Sequence, residues 1–327
     1  MADIVTFGEA MIRLSPPQFR RLEQAHSLDV QVGGAELNTA VALAQLGRNS
    51  AWVSCLTDNP LGRLIRNRAR EAGVDTRHIV WTNDHRVGLY FVEFGAAPRA
   101  SSVVYDRRDS AISQVQPGMF AWADIFRGSR WFHVTGITPA LSPQAAVVTH
   151  EAVEAARAAG LRVSIDLNYR QKLWTPAEAG RCLRPLLSMC DVLITTEEDA
   201  EKVLGLTASD HEALARKLVS EFPIDVAAIT VRENPLVWRN RWTALACQSD
   251  QVHRARSYEV EIVDRLGAGD SFAAGLIDGL LEGDLPRGLE LGVALSALKH
   301  SIPGDFAWVS RSEVESLLRG GNLRISR

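Results

Sequence analysis

Apolar residues recur along the chain in two rhythms. The short runs Ile4 to Gly8, Ala51 to Cys55, Trp131 to Val134, Leu161 to Leu167, Asp191 to Ile194 and Asp225 to Val231 are dense in aliphatic and aromatic side chains. Bounded by polar or glycine-containing stretches and too short for helices, they predict strands. Between and after them, helical spacing runs over 36–46, 61–72, 143–159, 176–187, 197–205 and 210–221, and three closing helices are predicted at 269–282, 286–302 and 311–319. Strands alternating with helices imply an α/β fold whose mainly parallel sheet is covered on both faces.

The rhythm breaks twice, at 10–32 and at 86–108. Gly88 to Phe94 and Ser101 to Tyr105 read as the arms of a hairpin around Gly95 to Arg99. These two segments predict a small β layer appended to a main unit made from 1–9, 33–85 and 109–327. By pattern alone the layer fits a lid over a crevice as well as an edge decoration. The stretch 235–258, with Trp238, Trp242 and Tyr258, predicts further short strands.

Composition narrows the chemistry. With 46% hydrophobic and 23% charged positions the 327 residues suit an ordinary globular protein. Thirty-six basic residues against 39 acidic ones give −3, too little field to gather nucleic acid or an anionic membrane, so any bound anion is held locally. No apolar run approaches the ~18 residues of a membrane span, and the first residues carry Asp3 where a secretory leader needs basic ones. Cys55, Cys182, Cys190 and Cys247 form no CxxC pair, and the eight histidines show no metal-ligand spacing. Free thiols in a cytoplasmic protein are expected.

The most informative stretch is Val263-Asp264-Arg265-Leu266-Gly267-Ala268-Gly269-Asp270, which runs into the apolar periodicity of Leu276, Leu280 and Leu281. Glycines here turn the chain onto a helix whose first amides point outward beside the positive end of its dipole, which makes an anion cradle. GxGxxG would need glycine at Phe272, and no lysine follows a glycine as in a P-loop, so two common nucleotide motifs are disfavoured, a nicotinamide dehydrogenase with them. Asp270 is either a helix cap or a base, kept ionised by the helix terminus and able to accept a hydroxyl proton. A second pair, Gly33-Gly34, opens the helix that carries Asn38 and ends at Gly47.

Taken together, Gly33 to Gly47 and Asp264 to Gly275 resemble the two signature regions of the ribokinase-like (phosphofructokinase B) carbohydrate kinases, over essentially the whole chain. The resemblance implies a three-layer α/β/α sandwich with a small β-sheet lid, and transfer of the γ-phosphoryl of MgATP to a sugar hydroxyl. It assigns the base to Asp270 and transition-state charge to the amides of Gly267, Ala268 and Gly269. Further matches, Gly88-Leu89-Tyr90, Tyr105 to Ala111, Asp166 to Trp174 and Lys299 to Phe306, are similar to 2-keto-3-deoxygluconate kinases, with phosphorylation at C6. The substrate side then comprises Gly34, Asn38, Tyr90, Tyr105, Arg107, Arg170 and Asp305. Arg107 lies between the reactants, and the planar guanidinium of Arg170 suits the carboxylate of a sugar acid. Nucleotide contacts fall to Asn168, Thr196, Thr230 and Arg232, and Mg²⁺ to Asp199.

Some relatives hold a monovalent cation beside the residue matching Asp264, and pair as homo-oligomers through the lid; both are carried as expectations. The sequence departs from the family pattern at two places, where Asp199 can still hold a water on Mg²⁺ and the loop reads as subfamily variation, with a weakened ATP site as the alternative. The Asn-x-x-Glu box of the family reads Thr196-Glu197-Glu198-Asp199, and the nucleotide loop reads Thr230-Val231-Arg232-Glu233-Asn234-Pro235 in place of glycines. The departures leave a silent sugar-binding regulator as an alternative, and a family kinase for ribose, fructose or a nucleoside is a separate rival.

Overall fold

The computed structural model describes residues 2–236 and 238–321; of residues 233–236 it describes the backbone only. The atypical Glu233, Asn234 and Pro235 side chains, and Val237 within the predicted strands of 235–258, therefore lie outside the described residues.

The chain opens with β1 (Ile4–Phe7), β2 (Met11–Ser15) and β3 (Asp29–Gly33), then α1 (Ala35–Gln45), β4 (Ser50–Thr57), α2 (Pro60–Glu71), β5 (Ile79–Thr82), β6 (Leu89–Glu93) and β7 (Ser102–Asp106). A short α3 (Trp122–Ile125) leads to β8 (Trp131–Thr135), α4 (Pro143–Ala158), β9 (Arg162–Asp166), α5 (Pro176–Leu187), β10 (Val192–Thr195), α6 (Glu197–Leu204) and α7 (His211–Glu221). The final third holds β11 (Val226–Leu236), β12 (Arg239–Gln248), β13 (Gln251–Arg254), β14 (Tyr258–Glu261), α8 (Ala268–Leu281), α9 (Leu285–His300) and α10 (Arg311–Leu318).

The large sheet runs in the order β13-β12-β11-β10-β9-β8-β1-β4-β5, with β14 also on β12. From β5 to β11 every pairing is parallel, and β12, β13 and β14 close the edge antiparallel. Alternation along β1 shows why both faces are covered. Val5 and Phe7 enter a core with α4, α5, α6 and α7, while Ile4 enters the opposite core with α1, α8, α9 and α10. The fold is thus the expected sandwich of helices, sheet and helices. A second sheet of order β3-β2-β6-β7 stands apart, built from the two segments where the main rhythm breaks. Among the described residues no helix is long and apolar enough to cross a membrane.

Helices α8 and α9 pack at backbone distance because glycines face each other: a Cβ on Gly275 would lie 2.5 Å from the Cα of Gly292. That contact fixes the direction of α8, and with it the place of its first turn.

Candidate active site

The first turn of α8 follows a left-handed Gly267 (φ +83°), whose missing Cβ would lie 1.9 Å from the carbonyl oxygen of Asp305. No other residue type fits this bend. It delivers Asp270 into the first turn, almost fully buried, with Oδ2 accepting a 2.7 Å hydrogen bond from Asn38 Nδ2. Burial pushes the Asp270 carboxyl up to about 6, against the lowering effects of the Asn38 hydrogen bond and of Arg170. Burial, and not the helix terminus, thus sets the direction, yet Asp270 is still mostly ionised at neutral pH. The Ala268 amide donates to the Arg265 carbonyl at 3.3 Å, so one amide of the expected cradle is shared with the bend itself.

Asp270 lines a cavity of about 90 Å³ together with Gly34, Asn38, Tyr90, Tyr105, Arg107, Arg170, Gly267 and Asp305. Sequence positions 34 to 305 thus converge on one space. Tyr90 stacks on Tyr105 (centroids 6.0 Å) and donates to Asp305 at 2.7 Å. Arg170 follows β9 on an exposed loop, and with Tyr105 and Arg107 it also borders a wider cleft of about 1030 Å³ between β7 and the loops after β8 and β9. Lys172 on that loop bonds the Val103 carbonyl of β7 at 2.9 Å.

The residues expected on the nucleotide side are not among those that line these two spaces. Asn168 is buried in a left-handed conformation (φ 40°), its amide bonded to Asp166 Oδ1 at 3.0 Å. Thr196 caps α6 by accepting from the Asp199 amide at 3.1 Å. Thr230 is half-buried near the end of the parallel part of β11, and Arg232 lies over the Trp242 ring at 5.5 Å.

Five participants escape the sequence reading. Glu9 pairs with Arg107 and accepts from Ser110. Arg13 of β2, only 1% exposed, sits between Asp264 and Asp305 with 2.7 Å contacts to each. Glu36 is buried and accepts from the amide and hydroxyl of Thr135 and from Thr138; burial pushes it up to about 7. Asp166 is pushed up to about 8, first by burial and then by the carboxylates of Asp199 and Asp270. Lys299 is buried with its ammonium on the Asp264 carbonyl. Of these, Glu36, Asp166 and Lys299 stood in motifs named from the sequence, and only their surroundings were hidden.

Residues 1–305 match the profile described as pfkB family carbohydrate kinase. The chain belongs to that family. Its members are phosphotransferases with an alcohol group as acceptor, and they use ATP and Mg²⁺. A 2-dehydro-3-deoxygalactonokinase of Haloferax volcanii is 40% identical over 327 residues, covering 100% of this chain and 99% of its own. The crystal structure of a 2-dehydro-3-deoxygluconokinase from Thermotoga maritima is 43% identical, superposes with a TM-score of 0.95, and covers 98% of this chain and 100% of its own. A 2-dehydro-3-deoxygluconokinase of Bacillus subtilis is 28% identical over 305 residues, covering 93% and 91%.

Proposed function

We propose that this carbohydrate kinase phosphorylates the C6 hydroxyl of 2-keto-3-deoxygluconate or its C4 epimer. The single observation that carries the reading is the shared cavity: a carboxylate at a helix start and a guanidinium, Arg170, border one space. The first suits an alcohol proton and the second a sugar carboxylate at the far end of a six-carbon chain. The names of the Haloferax volcanii and Thermotoga maritima relatives, both kinases of ketodeoxy sugar acids, favour the same substrate class.

In this mechanism Arg170 and Tyr105 bind the carboxylate end, while Asp305 and Asn38 orient hydroxyls. Asp270 takes the proton as the oxygen attacks the γ-phosphorus of ATP, and the bond to the bridging oxygen of ADP breaks. The amides after Gly267 receive charge spreading over the phosphoryl oxygens, and Arg107 moves between Glu9 and those oxygens. Asn168, Thr196, Thr230 and Arg232 hold the nucleotide. Asp199 and Asp166, hard-oxygen donors raised by burial, fit a water-shelled Mg²⁺, which supplies charge neutralisation to the phosphates when bound.

The second sheet acts as the lid and, in this reading, as a dimer face: Val30 on β3 and Val104 on β7 are each about half exposed. Sedimentation of wild type against V104E tests the pairing. A cytoplasmic setting agrees with four unbridged thiols. The function itself is tested by ADP release across ketodeoxy, aldonic and neutral sugars. The reading requires ketodeoxy acids to give the highest kcat/KM, and equal or better turnover of ribose or fructose overturns it.

A further inference from the structure

The bend that presents Asp270 is tied from beneath by a cation that the reaction above leaves unused. Lys299 lies in the last turn of α9 and is 0% exposed, an environment in which an ammonium needs compensation. Its Nζ donates to the carbonyl oxygens of Asp264 and Ile302, 3.1 Å each. These two carbonyls belong to different turns. Asp264 opens the bend 264–267 that precedes α8, and Ile302 opens the turn 302–305 that ends in Asp305.

The two turns meet tightly. The Gly304 amide donates to Asp264 Oδ2 at 2.9 Å, and Gly267 leaves no room for a Cβ against the Asp305 carbonyl. Two carbonyl dipoles converging on one point repel unless positive charge sits between them. Arg13 also bridges Asp264 and Asp305, so removing the Lys299 charge loosens the turns without freeing them, and both carry groups of the cavity: Gly267 and Asp270 on one side, Asp305 on the other.

We propose that Lys299 is a positioning residue for phosphoryl transfer. Its ammonium is a resident cation that locks the 264–267 bend against the 302–305 turn, holding the amide cradle and Asp305 in register. A monovalent cation from solution is then unnecessary beside Asp264.

This inference rests on the kinase reading, so turnover and thermal melting are measured together. K299M keeps the apolar stem and removes the charge. It is expected to lower kcat by about 10- to 100-fold, the cost of a small misplacement at the reacting centre, with KM for the sugar acid little changed. K299A leaves a hole of ammonium size. Ammonium or K⁺ at high millimolar concentration is expected to restore part of its kcat and raise its Tm, whereas tetramethylammonium, too large for the hole, does neither. Wild type is expected to run equally fast in K⁺ and tetramethylammonium buffers.

Wild-type kcat in K299M, a K⁺ requirement in the wild type, or a folded K299A that neither ion rescues would each overturn the proposal. Should K299A fail to fold, K299M and the wild-type buffer comparison decide. A wild type without any kinase turnover sinks the kinase reading instead, and the clamp is then judged by whether small cations raise the Tm of K299A.

Discussion

Replacing Asn38 with alanine removes the hydrogen bond that most favours the charged form of Asp270. A buried hydrogen bond to an ionised group contributes about 1.5–3 kcal/mol, and one pKa unit corresponds to about 1.4 kcal/mol. Losing the Asn38 contact therefore raises Asp270 by about 1–2 units, from its present value of about 6. In the proposed mechanism Asp270 works as the ionised base, so activity is expected to fall as pH drops through its pKa, and the acid limb of kcat/KM to move to higher pH in N38A. At pH 7 the loss is about two- to tenfold, and it largely disappears by pH 9. Asn38 also borders the cavity, so some loss of sugar binding is expected, but a binding loss alone scales the profile without shifting its limb. The assay is a pH series of initial rates with saturating MgATP and limiting sugar acid. An acid limb that stays at the wild-type position in N38A refutes the coupling between these residues.

Asp270→Asn removes the base while keeping the shape of the turn, and kcat should fall about 10²-fold or more with Tm nearly unchanged; near-wild-type turnover refutes the role. Arg170→Met should raise KM for sugar acids far more than for neutral sugars, and an equal rise in both removes the carboxylate contact. Glu36, held at about 7 by burial, binds its proton more tightly folded than unfolded. The stability it adds is fully present below its unfolded value near 4.5 and is lost as pH rises through about 7. E36Q keeps an acceptor for Thr135 and Thr138 without titrating, so its Tm should change less between pH 6 and pH 8 than that of wild type. An unaltered slope assigns the titration to another group, with Asp166 the first to examine.

Local signals carried most of the fold. Helix α5 spans the predicted 176–187 despite Pro185, because Pro176 and the Thr175–Glu178 capping box fix its start and apolar residues continue through Leu187. The edge strand β5 is absent from the sequence reading, since Ile79–Thr82 is only four residues with a partly exposed face. In the site, glycine bends and quoted motifs led to Asp270, Asn38, Tyr90 and Asp305, whose placement depends on local turns. Arg13 was illegible for a physical reason: in Met11-Ile12-Arg13-Leu14-Ser15 it reads as the outward polar position of an alternating strand, and the carboxylates that bury it are 251 and 292 residues away. Lys299 hid likewise in the last turn of a helix, where a lysine is expected to face water. Charge paired over such distances leaves no pattern within a window of sequence.

The same long-range pairing bears on synthesis. Arg13 emerges from the ribosome early, while both of its counter-charges are made near the end, so the second sheet cannot seat its charged centre until almost the whole polypeptide is available. A nascent chain stalled before residue 264 lacks both carboxylates that pair with Arg13, so β2 cannot take up its final contacts. The contacts that seat β2 against the 264–267 bend and the 302–305 turn therefore form only once the carboxyl-terminal residues have been made.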